Sequence, residues 1–430
     1  MHLQEVETLT GGQMTGADVV FNSVSIDTRT LLPGDLFVAI SGPNFDGNEF
    51  VDTAAAGKAV AAIVSRPVSS TLPTVSVADT RKALGQLGGH NRRMSKACVL
   101  ALTGSQGKTT VKEMLASILG IHARVLVTRG NLNNELGVPL TLLQISAEHE
   151  FAVVEMGANA PGEIAYTTGL VLPDIAHITN ASGTHLEGFG SVEGVARAKG
   201  EIWQGLGQDG TAIINIDDPF AASWSEQIQS RKIVNISAAG NVDAHYSVSA
   251  VKLSGAGGSS FRLQTPQGTQ TIRLALLGMH NIANALAAAA MALEAGATLD
   301  DVSRGLARVQ PVEGRLKMKR GLNNCRVIDD SYNASPASFR AAIDVLKSFP
   351  GRAILVAGDM GELGAEAEKA HHELGLYAAM QGIDHLYACG SLSAITAKSF
   401  GMNAVHESSL QLLADKLKEQ LQQDVTVLIK

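Results

Sequence analysis

Ala97-Cys-Val-Leu-Ala-Leu-Thr-Gly104-Ser-Gln-Gly107-Lys108-Thr109-Thr110-Val-Lys-Glu-Met-Leu115 decides how this chain is read. An apolar run suited to a buried strand leads into a glycine loop. Lys-Thr-Thr follows, and then a helix-forming sequence. That order is the layout of a phosphate-binding loop, in which backbone N–H groups close around phosphate oxygens and the helix N-terminus adds its dipole. The backbone of Gly104, Ser105, Gln106 and Gly107 is expected to form the cradle, with Thr110 in the first helical turn. Lys108 is expected to reach the terminal phosphates, and Thr109 to offer its hydroxyl to Mg²⁺. The loop is shorter than the common pattern, whose first glycine position falls on Leu102 here. A strand-to-helix turn with an ordinary surface lysine is the alternative. The sequence of strand, loop and helix favours a nucleoside triphosphate and an enzyme.

The rest of the composition narrows the class. A chain of 430 residues exceeds one core, and its length suggests about three domains. Hydrophobic residues make up 45% and charged residues 17%, which places it among globular proteins. The net charge of −7, without a basic cluster, argues against a nucleic-acid surface. Cys98, Cys325 and Cys389 stand far apart with no Cys-x-x-Cys pair. They predict a reducing compartment and no zinc site. The opening Met1-His-Leu-Gln-Glu-Val-Glu has neither a basic nor an apolar leader region, so no secretory signal is expected. The alanine-rich stretch 285–293 is too short for a membrane span.

Along the chain, Leu36-Phe-Val-Ala-Ile and Val60-Ala-Ala-Ile-Val-Ser read as strands between Pro-Gly and Asp-Gly turns. Residues 81–96 predict a polar helix and connector. From 97 to about 310, strands alternate with helical patterns, as in a doubly wound parallel sheet. Phe151-Ala-Val-Val-Glu155, Asp174-Ile-Ala-His-Ile-Thr-Asn180 and Thr211-Ala-Ile-Ile-Asn are the strand candidates. Their polar ends lie where open α/β sheets bind ligands. Residues 245–276, with Gly255-Ala-Gly-Gly258, predict antiparallel hairpins. Asn281 opens an alanine-rich helix stopped by Gly296. After Pro311 the alternation resumes, with Ser335-Pro336 as a helix start and Val425-Thr-Val-Leu-Ile-Lys430 as a strand. The division expected is 1–82, 83–310 and 311–430.

Further segments follow the loop in order. They are Thr128-Arg-Gly-Asn131-Leu-Asn133-Asn134-Glu-Leu-Gly137, Glu155-Met-Gly, and Asn180-Ala-Ser-Gly-Thr-His185-Leu-Glu187. Next come Ala198-Lys199-Gly-Glu, Gly278-Met-His280-Asn281-Ile-Ala-Asn284 and Glu313-Gly-Arg315. Asp329-Asp330-Ser-Tyr332-Asn333-Ala-Ser335-Pro336 and Gly358-Asp-Met-Gly-Glu-Leu-Gly364 complete the set. In this order and spacing the chain closely resembles the Mur ligases of bacterial cell-wall synthesis, over nearly its whole length. The last two segments are similar to the member that couples a dipeptide.

The resemblance implies an α/β fold of three domains. These are a small mixed UDP-sugar-binding domain, a central P-loop domain carrying an antiparallel hairpin region, and a C-terminal Rossmann-like domain for the incoming amine. It implies a bacterial, cytoplasmic, monomeric ligase. ATP would phosphorylate the carboxylate of UDP-N-acetylmuramoyl-tripeptide, and the amine of D-alanyl-D-alanine would attack the acyl phosphate. Lys108 is then expected on the β/γ-phosphates, with Thr109 and Glu155 on a first Mg²⁺. Glu155, His185 and Lys199, the lysine as a carbamate, are expected around a second. His280, Asn281 and Asn284 would face the adenine or its pocket. Arg315 would reach phosphate, and Asp330 ribose. Ser25, Thr28 and Arg29 are expected at the UDP-sugar, and Asn131, Asn133, Asn134, Tyr332 and Asn333 at the other substrates. The domains are expected to close during catalysis.

Taken alone, several of these residues have plainer readings. Lys199 reads as an exposed helical lysine, Glu155 as a cap partner, His185 as a core or surface histidine, Asn281 as an N-cap, Arg315 as a hinge salt bridge and Asp330 as a turn former. Two departures from the family pattern stand out. Asp46-Gly47-Asn48 replaces the usual Asp-Gly-His, and Asn48 is not carried into the site. The family continues past the final strand with a Gly-Ser-rich segment, so the third domain is expected to be incomplete at Lys430. A ligase adding a single amino acid is the nearest alternative, but its Asp-Asn-Pro-Arg type segment is not found. Folylpolyglutamate synthetases fit the middle region less well. A P-loop switch protein would not need the additional metal set and domains.

Overall fold

The computed structural model describes residues 1–228, 231–254 and 258–430. Gly255, Ala256 and Gly257 of the expected hairpin lie outside the described residues. The strands form three sheets, each with its own core.

The first sheet has five strands in the order Gln13–Thr15, Thr74–Ser76, Ala61–Val64, Leu36–Val38 and Val24–Ser25. All its pairings are parallel except that of Gln13–Thr15. The helix Thr80–Met94 follows, capped by the Asp79 carboxylate, which accepts from Arg81 N at 2.8 Å and Lys82 N at 3.1 Å. Its Ala83, Leu84 and Leu87 pack into the first core beside Leu36, Ile63 and Val75. The helix therefore crosses the 82/83 division. The same side of the helix also meets the central unit, where a Cβ on Gly88 would stand 2.8 Å from Pro139 Cα.

The central sheet has nine strands. Lys232–Ser237, Thr211–Asn215, Ile175–Ile178, Cys98–Thr103, Phe151–Glu155 and Val125–Val127 lie side by side in parallel. Tyr246–Ser254 joins this run in parallel, and Gly258–Thr265 and Gly268–Leu274 extend it as antiparallel hairpins. The parallel strands are buried on both faces, which accounts for their continuous apolar runs. Cys98–Thr103 is an interior strand between Ile175–Ile178 and Phe151–Glu155, so the loop after it emerges at the sheet's C-terminal edge, flanked on both sides.

The helix Lys108–Leu119 buries Val111, Met114, Leu115 and Ile118, an i, i+3, i+4, i+7 stripe. It packs against Met279–Glu294 and Leu299–Arg308. The approach to the second of these is close: Ser117 Oγ donates to Gly305 O at 2.7 Å.

The third sheet runs Lys317–Arg320, Arg326–Asp329, Val425–Ile429, Arg352–Ala357, His385–Cys389, Ala404–Glu407. It is parallel except for its first strand. Val425–Ile429 is an interior strand, hydrogen-bonded on one side to Arg326–Asp329 and on the other to Arg352–Ala357.

The helix carrying the phosphate loop is thus held by a glycine contact that a single methyl group tests. A Cβ on Gly305 would fall 2.5 Å from Ile118 Cα, which cannot yield as a side-chain tip does. Alanine gains roughly 1 kcal/mol in helix propensity over glycine, but overpacking costs about 1–3 kcal/mol. Gly305→Ala is therefore expected to lower the denaturant midpoint with an unchanged m-value. An equal or higher midpoint would contradict this packing.

Candidate active site

The loop is shaped by what stands against it. Gly104 has φ 143° and Gly107 φ 81°, and Lys108 opens the helix. A Cβ on Gly104 would lie 2.0 Å from Thr179 Oγ1, and one on Gly107 2.5 Å from Asn284 Oδ1. Glycine is needed at those two positions, whereas Leu102 lies buried within the strand Cys98–Thr103 and takes no part in the turn. The neighbouring strand end braces the loop. Gln106 N donates to Asn180 Oδ1 at 3.1 Å, Asn180 Nδ2 to Gln106 O at 3.1 Å, and Ser105 N to Asn180 O at 3.0 Å. Lys108 Nζ donates to Gly104 O at 2.7 Å. Burial, with Arg315 also repelling it, lowers the Lys108 pKa, and Glu155 opposes this.

Glu155 ends its strand only 2% exposed. Its carboxylate accepts from Thr109 Oγ1 at 3.1 Å and from Asn133 Nδ2 at 2.8 Å. Lys112 Nζ stands 3.8 Å from Oε2, and Glu155 N donates to Thr128 Oγ1 at 3.0 Å. Glu155 caps no helix here, so its plainer reading falls away. The Thr109 hydroxyl and this carboxylate are adjacent hard-oxygen donors. Such a pair suits Mg²⁺, with phosphate oxygens and water completing the shell. Among the described residues, no group of three or more His, Cys, Asp or Glu side chains is placed to hold a metal ion.

A cavity of about 380 Å³ opens over the loop. From the central unit, residues 105–110, Asn131, Asn133, Glu155, His280, Asn281 and Asn284 line it. From the third unit come Arg315, Asp330, Tyr332 and Asn333. The two units touch across it: Arg315 Nη2 donates to Thr109 Oγ1 at 3.2 Å, and Gln106 Nε2 to Ser335 Oγ at 2.8 Å. The Arg315 guanidinium also lies over the Tyr332 ring, 4.2 Å from its centroid. Asn281 is not an N-cap; Gly278 holds that position, and Asn281 Nδ2 donates to Leu277 O at 2.8 Å. Burial pushes His280 down to about 4, and Lys430 adds repulsion, so its ring is neutral at pH 7.

The other expected residues lie elsewhere. Asn134 Oδ1 accepts from Gly137 N at 2.9 Å, at the start of the helix Gly137–Leu142. In the first unit, Arg29 is paired with Asp27 at 2.6 Å and Ser25 Oγ donates to Asp27 O at 3.0 Å. Neither these nor Thr28 line the cavity. Asn48, 5% exposed, donates to Asp46 Oδ1 at 2.7 Å and accepts from Ser65 N at 3.0 Å. It uses both ends of its amide to lock that loop.

Lys199 is 1% exposed and so is not the surface lysine of its plainer reading. Its Nζ lies 5.3 Å from the Phe189 ring centroid and donates to Ala158 O at 3.4 Å. Burial, then repulsion from Lys108, brings it down to about 7. His185, at φ 53°, meets Glu362 of the third unit, Nδ1 to Oε2 2.5 Å. Burial lowers its pKa, against the pull of Glu362 and with repulsion from Lys199 and Lys108.

Sequence motifs do not single out four residues that the structure brings to this region. Lys112, 1% exposed, donates to Thr128 O at 2.8 Å beside Glu155. Its signal is the i+4 spacing from Lys108. Lys430 pairs with Asp330 and donates to Asn333 O at 3.1 Å. Burial drives both members of that pair toward neutrality, and their attraction opposes it. Asp330 also accepts from Leu316 N at 3.1 Å, so the carboxylate expected on ribose is already engaged. The signal for Lys430 is its place at a strand's C-terminal end. Thr184 lines the cavity with a buried hydroxyl that has no partner among the described residues. His177, also in the wall and 1% exposed, has Nδ1 2.9 Å from Ile213 O.

His177 gives a pH test of this wall. Burial holds it down at about 4, opposed by the bond to Ile213. The unfolded chain takes up a proton here as pH falls through about 6.5, whereas the folded chain does not until about 4. Its contribution is fully present above pH 6.5 and is lost between 6.5 and 4. Over that window the unfolding free energy of wild type is expected to fall more than that of His177→Asn, by up to roughly 3 kcal/mol. Parallel pH profiles for the two proteins would refute it.

Family profiles cover most of the chain. One described as "Mur ligase family, catalytic domain" matches residues 20–92, "Mur ligase middle domain" 102–292, and "Mur ligase, glutamate ligase domain" 314–430. The UDP-N-acetylmuramoyl-tripeptide–D-alanyl-D-alanine ligase of Escherichia coli K12 is 45% identical, covering 100% of this chain and 94% of that one. The Bacillus subtilis enzyme of the same name is 35% identical over 96% of this chain and 90% of its own. Among solved structures, MurF from Acinetobacter baumannii superimposes with a TM-score of 0.93 at 38% identity, covering 99% of this chain and 94% of that one. MurF from Thermotoga maritima in complex with ADP gives 0.85 at 28%, covering 96% and 94%. Three sheets in this order, a phosphate loop facing an arginine of the third unit, and relatives matched over nine-tenths or more of their length lead to one assignment: the chain belongs to the Mur ligase family.

Proposed function

We propose that this chain is an ATP-dependent amide ligase joining D-alanyl-D-alanine to UDP-N-acetylmuramoyl-tripeptide, giving the pentapeptide precursor of peptidoglycan in the bacterial cytoplasm. The observation that carries it is the convergence, in one cavity, of the loop with Lys108, the buried Glu155 and the third unit's Arg315. The relatives named for this ligation, matched over nearly their whole length, supply its specificity. Residues 1–82 are assigned to the UDP-sugar, with Ser25, Thr28 and Arg29 as its contacts. Residues 83–310 are assigned to ATP and 311–430 to the dipeptide, with the helix Thr80–Met94 joining the first two. Every residue assigned to the nucleotide comes from one chain, so a monomer suffices.

The reaction brings a carboxylate against a triphosphate, and two anions repel. Lys108 and Arg315 offset that charge from opposite sides of the cavity. The loop amides orient the phosphates for transfer to the carboxylate, and the docked third unit limits water around the acyl phosphate. Transfer of the γ-phosphoryl group releases ADP, and attack by the neutral dipeptide amine then expels phosphate, the amine giving up a proton as the amide forms. Thr109 and Glu155 would hold one Mg²⁺, and His185 with a carbamylated Lys199 would hold a second beside Glu155, supplying further charge neutralisation. A lysine at about 7 is substantially neutral at physiological pH, and the neutral amine is the form that combines with carbon dioxide. Asn131, Asn133, Tyr332 and Asn333, on the cavity wall, are assigned to the substrates. Asn134 is assigned to them by resemblance alone.

Two measurements test this. With ATP and the UDP-tripeptide fixed, D-alanyl-D-alanine should outcompete D-alanine, lysine and diaminopimelate, products being resolved by mass. A shorter amine leaves buried hydrogen-bonding groups unpaired, at about 1–3 kcal/mol each. Comparable single-residue addition would place the chain with the single-amino-acid ligases. Separately, enzyme depleted of bicarbonate should lose activity and regain it on addition, with a ¹³C-carbamate resonance appearing from labelled bicarbonate. Absence of that resonance in fully active enzyme, or its persistence in Lys199→Met, would remove the carbamate.

A further inference from the structure

The loop 358–364 of the third unit is built to hold one side chain still. Asp359 accepts from Ser393 N at 2.7 Å and Ser393 Oγ at 2.8 Å. Met360, 1% exposed, donates its N–H to His371 Nε2 at 3.0 Å. Leu363, 4% exposed, belongs to the third core. Between these anchors Glu362 stands at φ 61°, a left-handed conformation that a non-glycine residue rarely adopts. Its carboxylate Oε2 lies 2.5 Å from His185 Nδ1 of the central unit. His185 is itself left-handed, at φ 53°. The same two segments meet again at Gly364, where a Cβ would come 3.2 Å from Glu187 Cγ.

An ion pair this exposed adds little to stability. Two strained residues facing each other across a domain boundary therefore call for another reason. Bonding at Nδ1 selects a tautomer. With Nδ1–H donated to a carboxylate, the Nε2 lone pair is left available and the ring plane is fixed. Resting on the ligase reading above, we propose that Glu362 is a positioning residue for His185. The dipeptide-side unit, on docking, sets the tautomer and orientation of the imidazole assigned to the carboxylate-activating side. Phosphorylation of the carboxylate is thereby tied to the presence of the third unit, which limits formation of an acyl phosphate that water would consume.

The test uses the full chain with ¹⁵N-labelled histidine, the His185 signals being identified by their loss in His185→Gln. Wild type is expected to show the Nδ1-protonated signature, and Glu362→Ala a mixture of tautomers. In Glu362→Ala, kcat should fall roughly tenfold or more, the usual scale for removing an outer partner of a functional histidine, while ATP affinity stays unchanged. Glu362→Gln keeps an acceptor oxygen and should retain most of the wild-type rate. The Glu362 side chain is 62% exposed, so neither variant disturbs a core. A wild-type kcat in Glu362→Ala, or an unchanged His185 signature there, overturns the proposal. Because wild-type ligation is measured alongside, that result is distinguishable from failure of the ligase reading itself.

Discussion

A carboxylate taken out of water must be paired, because leaving it isolated costs far more than a domain's margin of stability. Glu155, 2% exposed, sets that condition for the whole site. Its carboxylate partners come from three places in the chain, Thr109 of the loop, Lys112 of the helix behind it, and Asn133, while Thr128, just after the strand Val125–Val127, holds the Glu155 backbone N–H. None of the three can move without leaving the carboxylate short of a partner. The phosphate loop, the helix and the sheet edge are thus fixed relative to one another before any substrate arrives. Arg315 then binds to the same Thr109 hydroxyl, which gives the third unit its landing point.

Charge is distributed unevenly over the molecule. The chain carries a net charge of −7, yet Lys108, Lys112, Arg315 and Lys430 gather in and around one cavity. Buried cations in a wall of low dielectric act more strongly than exposed ones. The site is prepared for two anions at once, which a nucleoside triphosphate and a peptide carboxylate require. The lowered pKa values of Lys108 and Lys430 record what crowding and burying those cations costs.

The parts of the site that were legible from sequence are the local ones. Strand, glycine loop, Lys-Thr-Thr and helix follow each other within twenty residues, and each signal concerns only its neighbours. The strands ending at Glu155 and near Asn180, and the capped start at Ser335-Pro336, were readable for the same reason. Lys112 and Lys430 were not, because a lysine is exposed by default and only tertiary packing buries it. His177 was hidden inside an apolar strand. Asn48 looked like a lost histidine, and its role appears only once Ser65, distant in sequence, is placed beside it. The Asn134 assignment came with its motif, although its side chain serves the start of a helix.

The interior position of Val425–Ile429 in the third sheet bears on how that unit is made. Its partner Arg326 pairs with Thr426, and the intervening strands and helices are all synthesised first. Until the strand arrives, Arg326–Asp329 and Arg352–Ala357 each carry an unpaired parallel edge facing a gap one strand wide. Closing so long a loop is entropically slow, and open edges of this kind invite pairing with other chains. The unit that docks against the phosphate loop therefore cannot close its sheet until Val425–Ile429 has been made.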